Sequence, residues 1–274
     1  MNDKEHPKQC AFCDSNANSR EHIWPQWMHP MLTEPVGPQS HVKLVMEPSS
    51  SPAFRRRCQR QGTLKTNRVR SVCRECNSGW MNRIETSSRG ILEKIVAGEN
   101  VALSQKDQER LSQWIMMKVF VMEHEYEYDL SLKEERAAFA KNQVIPPYYH
   151  IFLSKHKSVS SMFRDRATGS PLNKDGSACY TAPMVSVATV GLFIGRAFVY
   201  VTGSRTDSMD PYDLINPSIF KSLAHLWPIT NIPFQYSRVS FSEPVALLLC
   251  HLLSSTLRAI KSFQVERAAR EAGG

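Results

Sequence analysis

Two cysteine pairs, Cys10/Cys13 in "CAFC" and Cys73/Cys76 in "CREC", limit this 274-residue chain more than anything else in it. A C-x-x-C turn offers two thiolates from one tight bend, half of the tetrahedral set that a structural Zn²⁺ takes. Two such turns supply the whole set, here with fifty-nine residues between them. The competing reading is two coincidental pairs of buried thiols, and Cys58 is a further candidate ligand inside the intervening segment. Seven cysteines is an odd number, and in the reducing cytoplasmic setting expected for this chain the C-x-x-C spacing favours a metal over disulfides. Cys179 and Cys250 stand alone and read as small core residues.

Charge is unevenly spread. The formal net charge is +8, and from Arg55 to Arg74 there are eight basic residues and no acid. Arg55, Arg56, Arg57, Arg60, Lys65, Arg68 and Arg70 form a block that suits phosphate contacts with nucleic acid, while a solvated basic loop is the plain alternative. The polar start "MNDKEHPKQ" carries no secretory leader, and the apolar run "PVALLLC" is too short to span a bilayer, so no membrane role is expected.

The first ninety residues read as loop-rich, with "HVKLVM" a short strand and residues 49–62 a flexible basic loop. From Cys76 the pattern turns helical and stops at Gly98, with Gly90 a candidate break. Ser104 reads as the N-cap of a helix through "ERLSQWIMMKVFVM", and Ser131 with Glu134 as a capping box. "YYHIFLS", "MVSVATVGLFIG" and "AFVYVTG" read as strands, "HLWPITNIPF" as loop, and residues 244–269 as a last helix. The fold class is α+β: an amino-terminal zinc module over residues 1–98 and a larger helix-plus-strand domain over 99–274.

"EHIWP" lies between the cysteine pairs and "NSGW" follows the second, giving C-x-x-C…E-H-I-x-P…C-x-x-C-N. Over residues 10–85 this resembles the HNH endonucleases, a ββα-metal (treble-clef) family, in the variety stapled by four cysteines around zinc. The trailing "CNSGWMNRIE" is similar to a subgroup found in bacteria and their phages. The resemblance implies a metal-dependent nuclease acting most readily on double-stranded DNA. It implies His22 as the general base, and Glu21 with Asn77 as holders of one Mg²⁺ or Mn²⁺. The residue types fit: a neutral imidazole can take a proton from water near neutral pH, and carboxylate and amide oxygens suit hard cations. Neighbours on a regular strand face opposite ways, so Glu21 and His22 converge only at a bend or bulge. The chain departs from the family at Trp80, where a helical Lys or His is common; His29 and His41 are substitutes off the motif.

Plainer readings stand beside these. Glu21-His22 alone is a solvated polar pair, and Asn77 alone is an N-cap. Asn67 is a weaker candidate for orienting the turn. Glu85, two helical turns beyond Asn77, is expected to pair with Arg89 rather than share a metal. Trp24, Trp27 and Trp80 are expected in the core, and Trp114 with Lys118 on a packing face. His124, His150, His156, His225 and His251 show no ligand spacing. Two rival functions remain: a treble-clef protein that binds nucleic acid without cutting it, and an RNase or phage-conflict effector using the same site. A homodimer is the assembly that a two-strand cutter would favour.

Overall fold

A computed structural model of the chain describes residues 8–32, 40–46, 55–61, 68–124, 130–157, 164–169, 187–205, 223–230, 234–236 and 240–241. Strand β1 (Ser19–His22) pairs antiparallel with β4 (Arg68–Val72), and the register slips between Ser19 and Glu21. The slip sets Arg70 and Ser71 of β4 against Arg20, and Glu21 and His22 stay in regular register with Val69 and Arg68, so the bulge expected at that pair lies on the partner strand instead. Ahead of β1 the chain folds back on itself, with Cys10 N–H donating to Ser15 O and Ala11 N–H to Ser71 O, each at 2.8 Å. Pro25 then opens a 3₁₀ turn over Gln26–Met31.

Behind β4 the chain turns directly into helix. Short helix α1 (Arg74–Cys76), a π-helical turn (Asn77–Met81) and helix α2 (Asn82–Ala97) follow without a gap. The distortion falls at Gly79, with φ −90° and ψ −109°, and Gly90 lies inside an unbroken α2. Gly98 ends α2 in the left-handed region, as a helix-terminating glycine should. Helix α3 (Gln105–His124) begins at Ser104, whose Oγ accepts from Asp107 N–H. Helix α4 (Lys133–Asn142) starts one residue later than the sequence suggests. Glu135 accepts from Leu132 N–H, and Ser131 instead binds the buried Glu123.

The rest is antiparallel sheet. Strands β6 (Tyr149–His156), β7 (Arg164–Gly169), β8 (Val187–Ile194), β9 (Ala197–Ser204) and β10 (Ala224–Trp227) run in the order β10-β6-β9-β8-β7. A short parallel strand, Ser240–Phe241, also lies on β6. Two expectations change here. Residues 55–61 form β3, paired in continuous register with β2 (Ser40–Met46), where a flexible loop is expected. "HLWPITNIPF" contributes β10 and the two-residue strand Phe234–Gln235 (β11), the latter paired with Ala102–Leu103 (β5). In both places long-range pairing decides what local composition cannot.

Buried apolar residues form one cluster running from Cys10 to Tyr236. The boundary drawn at residue 98 therefore divides the chain without dividing the core. Helix α3 carries most of the join, packing against α2, β4, β5 and β10. At the other end of α2, the β8–β9 turn docks through Arg196 N–H to Val96 O at 2.9 Å. No helix among the described residues is long and apolar enough to cross a membrane.

Candidate metal centre and adjoining cleft

Cys10 and Cys13 sit on the amino-terminal fold-back, Cys73 just before α1, and Cys76 at its end. All four Sγ atoms lie within 4.8 Å of one another. Cys13 Sγ is 3.7 Å from Cys73 Sγ and 3.8 Å from Cys76 Sγ. Tetrahedral zinc with bonds of about 2.3 Å needs sulfurs about 3.8 Å apart, so the donor set fits that ion. Three of the four are buried. Thiols this close compete for ionisation. A hydrogen bond with Cys76 pulls Cys10 down to about 4, burial pushes Cys73 up to about 11, and contact with Cys10 raises Cys76. A divalent cation removes that conflict by stabilising every thiolate at once. Cys76 N–H also points at Cys73 Sγ, 3.4 Å away, at the positive end of the helix.

Surrounding groups fix the cysteine turns. Arg74 N–H donates to Asn18 Oδ1 at 2.8 Å, and buried Arg136 on α4 donates to Ala11 O at 3.0 Å. Phe12, between the first two cysteines, meets the Trp80 ring edge-on at 4.8 Å. Trp80 itself is buried against Phe12 and Phe139, away from the neighbouring cleft.

That cleft, about 400 Å³, opens beside the cysteines between β1, the 3₁₀ turn and the start of α2. Glu21, His22 and Asn77 all line it, with Arg20, Trp27 and Glu85. His22 Nε2 accepts from Arg68 Nε at 2.7 Å, which places its own proton on Nδ1 in the neutral ring. Burial, then the Arg68 and His29 charges, hold the His22 pKa below its usual 6.5. Asn77 Nδ2 donates to Ser19 Oγ at 2.7 Å, which turns Oδ1 away from that contact. Glu21 is buried, and its Oε1 accepts from Lys118 Nζ at 2.6 Å.

The structure brings His22, Glu21 and Asn77 together, as the motif spacing requires. It also brings in residues that sequence reasoning set aside. Glu85 does not pair with Arg89, which instead binds Glu93 at 2.8 Å. Glu85 accepts from Trp27 Nε1 at 3.2 Å and lies 3.6 Å from Lys118 Nζ. Trp24 and Trp80 are buried, but Trp27 forms a cleft wall with Arg89 stacked 5.0 Å over its ring. His29, off the motif, lies 5.7 Å from the His22 ring and donates from Nε2 to Trp24 O. Lys118, read as packing, is 1% exposed and reaches Glu21 and His22 O. Its signal was available: one charge inside the apolar run "WIMMKVFVM" must find a partner or unfold the core. Among the basic block, Arg68 and Arg70 are exposed on β4, while Arg55, Arg56, Arg57 and Arg60 lie on β3. Lys65, Asn67, Cys179, Cys250, His251 and the helix expected over 244–269 fall outside the described residues.

No protein-family model, curated protein or solved structure matches the chain.

Proposed function

We propose that this protein is an HNH-like endonuclease whose treble-clef zinc module presents Glu21, His22 and Asn77 to a phosphodiester, with duplex DNA as its substrate. The observation that carries this reading is the shared cleft beside four clustered sulfurs, reached from strand β1 and a helix start. The hard oxygens Glu21 Oε2 and Asn77 Oδ1 have no hydrogen-bond partner among the described residues, a donor set suited to Mg²⁺ or Mn²⁺ completed by phosphate and water. Held by Glu21 and Asn77, such a cation would supply charge neutralisation at the scissile phosphate.

The chain's own residues do the remainder. His22, kept neutral, takes a proton from the attacking water. Its Nε2 lone pair is covered by Arg68 in the free protein, so the base is released when Arg68 turns to a phosphate. Arg20, Arg68 and Arg70 are exposed on the β1–β4 pair and hold the backbone there. By the charge of their segment, Arg55, Arg56, Arg57, Arg60 and Lys65 are assigned further phosphate contacts. The cysteine cluster takes no part in bond breaking; it fixes β4 and the helix that carries Asn77.

A second reading is favoured by one specific pair of contacts. Glu21 is tied to Lys118 and His22 to Arg68, the arrangement of a nucleic-acid-binding zinc module that does not cut. Supercoiled plasmid with Mg²⁺ or Mn²⁺, beside a His22→Ala control, separates the two. Nicking by wild type and its loss by at least about 100-fold in the variant supports the nuclease. Equal DNA binding by both with no nicking establishes the binding module. RNA and single-stranded DNA in the same assay define the substrate.

A further inference from the structure

A lysine with 1% exposure in the middle of helix α3 is an expensive residue to keep. Its neighbours on the helix, Trp114, Ile115, Met117, Val119, Val121 and Met122, are all buried and apolar. An apolar side chain of similar volume would hold the core at least as well as a buried ion pair. Packing therefore does not account for Lys118, whose Nζ stands 6.0 Å over the Trp114 ring but makes its polar contacts toward the cleft. Nζ lies 2.6 Å from Glu21 Oε1, 3.6 Å from Glu85 Oε2 and 3.2 Å from His22 O. Each of those residues lines the cleft. One ammonium thus reaches both carboxylates of the cleft and the backbone carbonyl of the residue that carries the imidazole.

Building on the nuclease reading of this cleft, we propose that Lys118 is a positioning residue that sets how tightly the site holds a divalent cation. Glu21 and Glu85 bring two negative charges to one end of the cleft, and the ammonium lies against both. With Arg20 also lining the cleft, a cation meets little net negative charge and binds weakly until a phosphate adds its own. The lysine also fixes the rotamer of Glu21: with Oε1 turned to Lys118, Oε2 is left for the cleft. Glu85 is fixed from two sides, by Lys118 at Oε2 and by Trp27 at Oε1. The result is a site loaded by substrate and metal together, in place of one that fills with metal first.

The test is Mn²⁺ binding to the full-length, zinc-loaded protein without nucleic acid, followed by electron paramagnetic resonance. Mn²⁺ does not displace zinc from four thiolates, so the readout reports the cleft. Lys118→Met should bind Mn²⁺ at least about tenfold more tightly than wild type, because two carboxylates lose their fixed counter-charge. Lys118→Arg, which keeps the charge, should stay within about twofold of wild type. A folded Lys118→Met variant with full zinc content and no gain in Mn²⁺ affinity overturns the proposal. Should that variant fail to fold, Glu85→Gln decides: Mn²⁺ affinity falls about tenfold if the two carboxylates act together, and unchanged affinity overturns the idea. Wild type that takes up no Mn²⁺ at millimolar concentration, with Lys118→Met unfolded or equally inert, overturns it as well. Plasmid nicking is scored in parallel. Tighter Mn²⁺ binding by Lys118→Met beside a wild type that nicks nothing defeats the nuclease reading and leaves the role of Lys118 standing.

Discussion

Arg68 is the residue on which the chemistry of the cleft turns, because its guanidinium covers the lone pair that a base would use. An exposed arginine that donates to a neutral imidazole gains little, since the ring is a poor partner beside a phosphate anion. The contact is therefore one that a phosphate anion can break. Arg68→Ala is expected to lower the slope of log affinity against log salt by about 1 in DNA binding, as one phosphate contact is lost. The same variant leaves His22 uncovered in the free protein. Fluorescence anisotropy with a duplex across a salt series measures the slope. An unchanged slope would remove Arg68 from the phosphate surface. At this scale the sequence was informative where a motif fixes spacing and silent where partners come from afar. Glu21, His22 and Asn77 belong to one motif combination over residues 10–77, whereas Lys118 lies outside it, ninety-seven positions from Glu21 along the chain. No local pattern encodes that contact; only the charge stranded among apolar neighbours marks it.

Elements show the same division. Helices α2 and α3 carry their own signals, a terminating glycine and an N-cap serine, and strands β6, β8 and β9 carry apolar runs of strand length. Strand β3 has an arginine-rich sequence with no apolar alternation, and only its register with β2 makes it a strand. Helix and sheet meet at Gly195, in the turn between β8 and β9. Its φ is +57°, and a Cβ there would come within 2.6 Å of Val96 Cγ1 and 2.7 Å of Val96 O. Gly195→Ala combines a left-handed alanine with a clash against backbone that cannot swing aside. We expect a loss of about 2–4 kcal/mol, read from the urea midpoint at constant m-value. A loss below about 0.5 kcal/mol would mean that this turn does not dock on α2 in solution.

Across the whole molecule the cysteine cluster is a junction. The fold-back with Cys10 and Cys13 is tied to β4 by Ala11 N–H, to α4 by Arg136 and Lys133, and to α3 by His124 donating to Gln9 O. Cys73 and Cys76 stand where β4 becomes helix, so one ion would pin strand, helix and amino-terminal segment together. Zinc bound by four thiolates contributes on the order of 10 kcal/mol to a small module that lacks other means to close. Here such an ion would act on a core already continuous with the sheet, so its removal should loosen the molecule without unfolding every part. Purified protein should contain about one zinc per chain, and Cys76→Ser should lose it. The variant's thermal midpoint should fall by at least about 10 °C. Cys58→Ser should keep both zinc and midpoint, since the four clustered thiols already complete a tetrahedral set. Acid should mimic the first variant: thiolates must be protonated before the metal leaves, so zinc content falls as pH drops and returns on neutralisation. Elemental analysis beside circular dichroism melts follows all of these together. A zinc-free protein with an unchanged melt would leave the four sulfurs as packing, and with them would go the reason for placing an imidazole, a carboxylate and an amide around one cleft.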